Sequence, residues 1–148
     1  MANRRYASIV VVLALALLLA ACGQESVQAD DEAAVTVEQV GDSELARITL
    51  SEHAVQRLAV QTAAVEEATV GGERHKVVPH AAVIWDSSGQ AWTYAALEAH
   101  VYMRAPIAVL RIDGDAALLS DGPETGTQVV VVGAPELWGA ETGVGGGH

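Results

Sequence analysis

Short apolar runs separated by turn-forming residues recur along most of this chain, and that spacing predicts a mainly β domain. Arg47-Ile48-Thr49-Leu50 reads as a strand. Ser51 follows as a helix N-cap, Glu52 suits the first turn, and Arg57 suits the last. Ala54, Val55 and Leu58 share one face, so Ser51 to Leu58 is expected as one short helix lying on a sheet. Val60, Thr62 and Ala64 continue as a strand. Gly71-Gly72-Glu73-Arg74-His75 reads as a turn or loop. Val77 and Val78 lead into Pro79, which cannot donate to a ladder and marks a strand end or edge. Ala82 to Trp85 and Trp92 to Leu97 are the expected arms of a hairpin around Asp86-Ser87-Ser88-Gly89. Trp92 and Tyr94 then share one face, with Thr93 and Ala95 on the other. Val101 to Ile112 is a long extended stretch with a break or edge at Pro106. Ala116 to Leu119 is a short strand between turns at Asp113-Gly114-Asp115 and Asp121-Gly122-Pro123. Val129 to Val132 is a continuous apolar run bounded by Gly126 and Gly133, as expected of a buried central strand. From Gly139 the chain is Gly-rich and is expected to be a mobile tail.

The N-terminus follows a different pattern. Arg4 and Arg5 precede an apolar run from Ala7 to Ala20, shorter than the ~20 residues that comfortably span a bilayer. A basic start, a short apolar stretch and small residues before a cut are the layout of a secretory signal. The run ends at Leu19-Ala20-Ala21-Cys22, which resembles a bacterial lipobox, so Cys22 is expected to carry lipid and to begin the mature chain. Plain secretion and an uncleaved signal anchor are the alternatives. Gly23 to Glu44 is polar and acidic, with a weak strand pattern at Val35, Val37 and Val40, and is expected to be mostly a disordered tether. The expected organisation is a signal helix at 1–21, a tether at 22–44, a β domain at 45–141 and a mobile tail at 142–148.

Composition narrows the function. The chain has 148 residues, so one small domain remains after the signal. There is no Phe, so Val, Ala and Leu must fill the core, and core packing is the expected use of Trp85, Trp92 and Trp138. Net charge is −11, and removing Arg4 and Arg5 takes it to −13. That balance excludes nucleic acid as a partner, because phosphates need cationic contacts. It also disfavours docking on anionic headgroups. Cys22 is the single cysteine, so no internal disulfide is available.

The order of segments resembles a known family. Ile48-Thr49-Leu50-Ser51 through Leu58-Ala59-Val60-Gln61-Thr62 looks like the opening of the membrane-proximal domain of periplasmic adaptor subunits. These are the membrane fusion proteins of resistance-nodulation-division (RND) efflux pumps, the heavy-metal type included. Val78-Pro79-His80-Ala81-Ala82-Val83, Trp92-Thr93-Tyr94, Arg104-Ala105-Pro106-Ile107 and Gly126-Thr127-Gln128-Val129-Val130 resemble its successive strands. Glu136 to Glu141 resembles its closing segment. The likeness covers about Ala46 to Glu141. It implies a small β-roll or barrel-like membrane-proximal domain that contacts an inner-membrane efflux transporter or another adaptor chain. The family's lipoyl-like domain, helical hairpin and β-barrel domain are replaced here by Val70 to Lys76. The hairpin tip Asp86 to Gln90 and the stretch Tyr102 to Pro106, expected to be exposed, are the candidate contact regions.

No catalytic, cofactor or metal site is expected. His53, His75, His80, His100 and His148 have no paired ligand spacing. Asp113 and Asp115 flank Gly114 as turn residues, and Ser87 and Ser88 lack a nucleophile-elbow context. The Gly-rich C-terminus lacks the Lys and following helix of a phosphate loop. The alternative function is a small metal- or ligand-binding lipoprotein, and a third reading is a remnant without a partner.

Overall fold

Val129 and Val130, adjacent in the apolar run, are both fully buried because they point into different cores. This computed structural model describes residues 34–143, which fall within one compact unit. Cys22, the signal segment 1–21 and the tether as far as residue 33 lie outside the described residues, as does the tail from residue 144.

The elements in chain order are β1 (Val35–Gln39), β2 (Ala46–Leu50), α1 (Glu52–Leu58), β3 (Gln61–Ala64), β4 (Glu66–Val70) and β5 (Glu73–Pro79). A 3-10 turn (His80–Ala82) then leads to β6 (Ile84–Trp85), β7 (Ala91–Glu98), β8 (Val101–Asp113), β9 (Ala116–Asp121), β10 (Gln128–Val132) and α2 (Ala134–Thr142). The strands join in one sheet of order β3-β10-β7-β8-β9-β5-β4, with β1 on β2, β2 on β8 and β6 on β7. Its two ends, β3 and β4, are consecutive in the chain and meet at buried Val65, which exchanges main-chain bonds with Gly126 and Thr127. The sheet therefore curls until its ends are one kinked segment, and the mainly β, roll-like reading is borne out.

The long strand β8 makes that curl. Its first half pairs with β7 and β2, and its second half pairs with β9. Register slips on either side of Val109 bend the strand where it changes partner. Pro106 lies beyond Met103, the last β8 residue paired to β2, so its missing N–H costs no bond on that side. Inside the curl sit Val65, Val78, Ile107, Ala117, Leu119 and Val129. On the outer face, α1 and α2 cover Ile48, Leu50, Tyr94, Tyr102 and Val130 with Ala54, Ala134 and Leu137.

Local chemistry matches most of the expected elements. Ser51 Oγ accepts the Ala54 N–H at 3.2 Å and starts α1. Gly71 and Gly72 both take positive φ (64° and 89°), as a two-residue hairpin turn needs. This tight turn is shorter than the loop expected there, and Glu73 to His75 belong to β5. The expected strand Ala82 to Trp85 is reduced to Ile84–Trp85, because the chain first makes the 3-10 turn after Pro79.

Two corrections concern the domain's ends. Val35–Gln39, within the expected tether, is a strand paired along its length with β2. Its single sequence signal was a Val repeat on an otherwise exposed strand. At the other end, Gly139 to Thr142 are helical, so a second helix joins the one expected. Pro135 in its first turn and Gly143 just past its end are the marks of a helix, but the glycines obscured them. Gly133 precedes α2 at φ 92°, where a Cβ would meet Val60 Cγ2 at 3.1 Å.

Thr93 is fully buried, and its hydroxyl has no hydrogen-bond partner among the described residues. An unpaired buried hydroxyl carries its desolvation cost with nothing to offset it. Thr93→Val keeps the shape and removes that cost, so urea melts should show a gain of about 1 kcal/mol. A loss would mean that the hydroxyl is satisfied in solution.

Candidate functional site

The hairpin of β6 and β7 presents the first candidate surface. Ile84 faces Trp92 and Trp85 faces Ala91 across the pair. Beyond them Asp86 organises the tip. Its Oδ1 accepts the Ser88 N–H at 2.8 Å, the Ser88 hydroxyl at 2.6 Å and the Gln90 N–H at 2.9 Å. Its Oδ2 accepts the Trp92 indole N–H at 2.9 Å. The Ser88 hydroxyl, then the Trp92 indole, hold the carboxyl down at about 2. The tip is thus a fixed loop built around a carboxylate that stays charged. Trp85 beside it is 52% exposed, so it is not the core residue expected.

Trp92 connects this tip to a second group of residues. The Arg104 guanidinium lies over the Trp92 ring, 4.3 Å from its centroid, and over the Trp138 ring at 5.5 Å. Arg104 Nε donates to Glu141 Oε1 at 2.8 Å, and Arg104 Nη2 donates to the Glu44 carbonyl at 2.7 Å. The Tyr94 hydroxyl donates to Glu141 Oε2 at 2.5 Å. Burial, reinforced by the bond to Glu141, pushes the Tyr94 phenol far up, so it remains a donor at every physiological pH. The Arg104 and Glu141 side chains are 11% and 4% exposed. This buried, satisfied pair ties α2 to β8 and to the loop after β1.

The other expected contact stretch divides. Pro106 is exposed, but Tyr102 is 4% exposed and belongs to the core under the helices. It points inward because it sits opposite Ile48, itself a core residue. Two surface grooves of about 190 and 210 Å³ share Val77 and Ala116; the first lies between β3, β5 and the start of β9, and the second across β4, β5, β8 and β9. Ala68, Val70 and Leu118 supply apolar walls, with Glu66, Arg111, Asp113 and Asp115 at the margins. Asp113 pairs with Arg111 at 3.6 Å as an exposed surface contact. His75 lies in β5, His80 in the 3-10 turn, His53 in α1 and His100 in the turn before β8; His148 is outside the described residues. Among the described residues no three His, Cys, Asp or Glu side chains are placed to hold a metal ion. No helix among them is long and apolar enough to cross a membrane.

No protein-family model and no curated protein matches the chain. A solved structure is similar. It is an NMR structure of 180 residues encompassing the N-terminal metal-binding site and the membrane proximal domain of SilB from Cupriavidus metallidurans CH34. Identity is 25%, the match covers 55% of this chain and the TM-score is 0.45. The matched region spans 44% of that chain, less than half its length.

Two outcomes test the geometry. Glu141→Ala leaves Arg104 buried without its partner and should cost about 3 kcal/mol, whereas Asp113→Ala in the exposed pair should cost under ~1 kcal/mol. Equal losses in thermal melts would contradict the buried staple. The Asp86 carboxyl lies below its ordinary value of 3.8, so its stabilisation of the tip is fully present above that pH. It is lost as pH falls through about 2. The Trp92 indole N–H resonance should hold steady from neutral pH down to about 4 and shift only below it.

Proposed function

We propose that this chain is an adaptor-like accessory protein of an RND efflux system, acting by protein–protein contact from the outer side of a membrane. Lipid on Cys22 holds it there, through acyl chains that each gain about 0.8 kcal/mol per buried methylene. Its partner is an inner-membrane efflux transporter or another adaptor chain. One observation carries this reading. Trp92-Thr93-Tyr94, Arg104-Ala105-Pro106-Ile107 and Glu136 to Glu141 resemble separate motifs of the adaptor membrane-proximal domain, and each sends side chains to one cluster: Trp92, Trp138 and Glu141 meet Arg104, and Tyr94 bonds to Glu141. The motifs therefore share one structural role, which an accidental likeness of short Val-rich strands would not require. The hairpin tip supports the contact mode, since it sets an exposed Trp85 beside a loop already fixed by Asp86.

A photo-crosslinking residue at Ser87, introduced in cells, is expected to capture a large inner-membrane transporter or an adaptor chain. Cys22→Ser should move the protein from the membrane to the soluble fraction. Recovery of neither partner sinks the adaptor reading, and a Cys22→Ser protein that stays on the membrane sinks the anchor.

A further inference from the structure

Strand β1 is held chiefly by its ladder with β2. Thr36, Val37, Glu38 and Gln39 are exposed, while Val35 and neighbouring Ala34 pack against the core beneath the helices. The register with β2 runs unbroken from Val35 opposite Leu50 to Gln39 opposite Ala46. Among the described residues no strand pairs with the outer side of β1. Strand β2 is held more firmly. It pairs with β8 on its other side, and Ala46, Ile48 and Leu50 are buried. The Leu50 N–H bonds to the His100 carbonyl at 2.9 Å, toward β8, and the Ser51 N–H bonds to the Ala34 carbonyl at 3.1 Å, toward β1. These directions alternate along an antiparallel ladder, so Thr36 and Glu38 carry the bonds to Thr49 and Arg47. A strand with exposed bonds and few apolar contacts opens at lower free energy than the body it rests on.

The connections decide how a load would act on this ribbon. The segment that carries Cys22 joins the domain at Ala34, and β2 continues into α1 at Ser51. Ala34 and Ser51 are bonded to each other. Tension between the N-terminal segment and the body therefore enters and leaves the ribbon at the same end. It breaks the ladder one bond at a time, from Ala34 onward, instead of shearing all the bonds together. The far end has a stop. The turn there is closed by the Val40 N–H to the Leu45 carbonyl at 2.9 Å. The Glu44 carbonyl then accepts from Arg104 Nη2 at 2.7 Å, and the Arg104 side chain is itself buried against Glu141. Immediately after it, Ala46 is buried.

We propose that β1 is a releasable strap: tension on the N-terminal segment peels residues 34–43 from β2 as far as the bond between Glu44 and Arg104, while the rest of the domain stays folded. The freed stretch of about ten residues lengthens the connection by roughly 33 Å at full extension. Val35 is the half-buried side chain of β1 that release gives up, and its return to the core draws the strand back when the tension falls. Use of the strap in the cell rests on the Cys22 anchor. The peeling itself requires no lipid.

Force spectroscopy of the full chain, made without lipidation and held by handles on Cys22 and on a Ser87→Cys tip, tests the strap directly. A reversible lengthening of at most ~33 Å should precede the global unfolding event. Thr36→Pro, which removes a bond to β2, should abolish this first step and leave the later event at its parental force. Hydrogen exchange provides a second reading without load. The Thr36 and Thr49 amides, which join β1 to β2, should exchange about 100-fold or more faster than the Ile48 and Leu50 amides, which face β8. A single unfolding event that includes β1, a first step indifferent to Thr36→Pro, or equal exchange of the two sets of amides overturns the proposal. A peeling step in a protein that Cys22→Ser leaves on the membrane would keep the strap and remove the anchor.

Discussion

Arg104 is the point on which the outer half of the molecule depends. It lies in the bend-forming strand β8 and is held by groups from three other places: Trp92 on β7, Trp138 and Glu141 on α2, and the Glu44 carbonyl after β1. A buried ion pair is close to break-even against water, since desolvation of both charges offsets most of their attraction. Its larger effect is to fix register. Helix α2 buries only Ala134 and Leu137 fully, which leaves its rotation poorly set by apolar contact alone. Glu141 also sits in the last turn, where the helix dipole disfavours an anion. A carboxylate is sustained there because Arg104 and the Tyr94 hydroxyl satisfy both of its oxygens. One orientation of α2 achieves this, and the same orientation closes the core over Tyr94.

In the half of the sheet that the helices cover, β7 and β10 are packed on both faces. A strand between two cores cannot alternate apolar and polar residues, and β10 does not: Val129 faces the curl while Val130 faces the helices. Strand β7 solves the same problem with Ala91 and Ala95 on the inner side and Tyr94 on the outer side. Small residues let the curled sheet close tightly in a chain without Phe. Thr93 is the flaw in that arrangement, a hydroxyl placed where only packing is available.

What could be read from the sequence followed from how strongly each segment carried its own period. The N-cap at Ser51, the hairpin at Asp86 to Gly89 and the buried run at Val129 all have local chemistry that fixes their form, and each was legible. Strand β1 was legible only as a weak Val repeat within the expected tether, because most of it is exposed and its neighbour β2 supplies the order. Helix α2 was obscured by Gly139 and the glycines after it, and its stability comes from Arg104, distant in sequence. The candidate site divided in the same way. Its motifs were visible as separate fragments, and the tip at Asp86 was marked by turn residues. The convergence of Trp92, Tyr94, Arg104, Trp138 and Glu141 was not visible, because pairing Arg104 with Glu141 requires the folded sheet. Tyr102 was placed outside for a related reason: alternation gives two faces but does not say that both are covered.

The hairpin tip and the open edge of β1 differ in what recognition would cost. At the tip, Asp86 already fixes Ser88, Gln90 and Trp92, and Trp92 stacks on Arg104, so the loop is tied through side chains to α2. A partner that reads this surface meets Trp85 on a support that loses little conformational freedom on binding. Such a surface suits selection by shape and side-chain chemistry. The β1 edge offers main-chain groups and one exposed valine, on a strand tied to the body through β2 and through Val35 against the core. Main-chain pairing distinguishes poorly between partners, so the edge by itself selects none. Of the two, the tip is therefore the surface that can select a partner by its own side-chain chemistry, because its groups are already held in place.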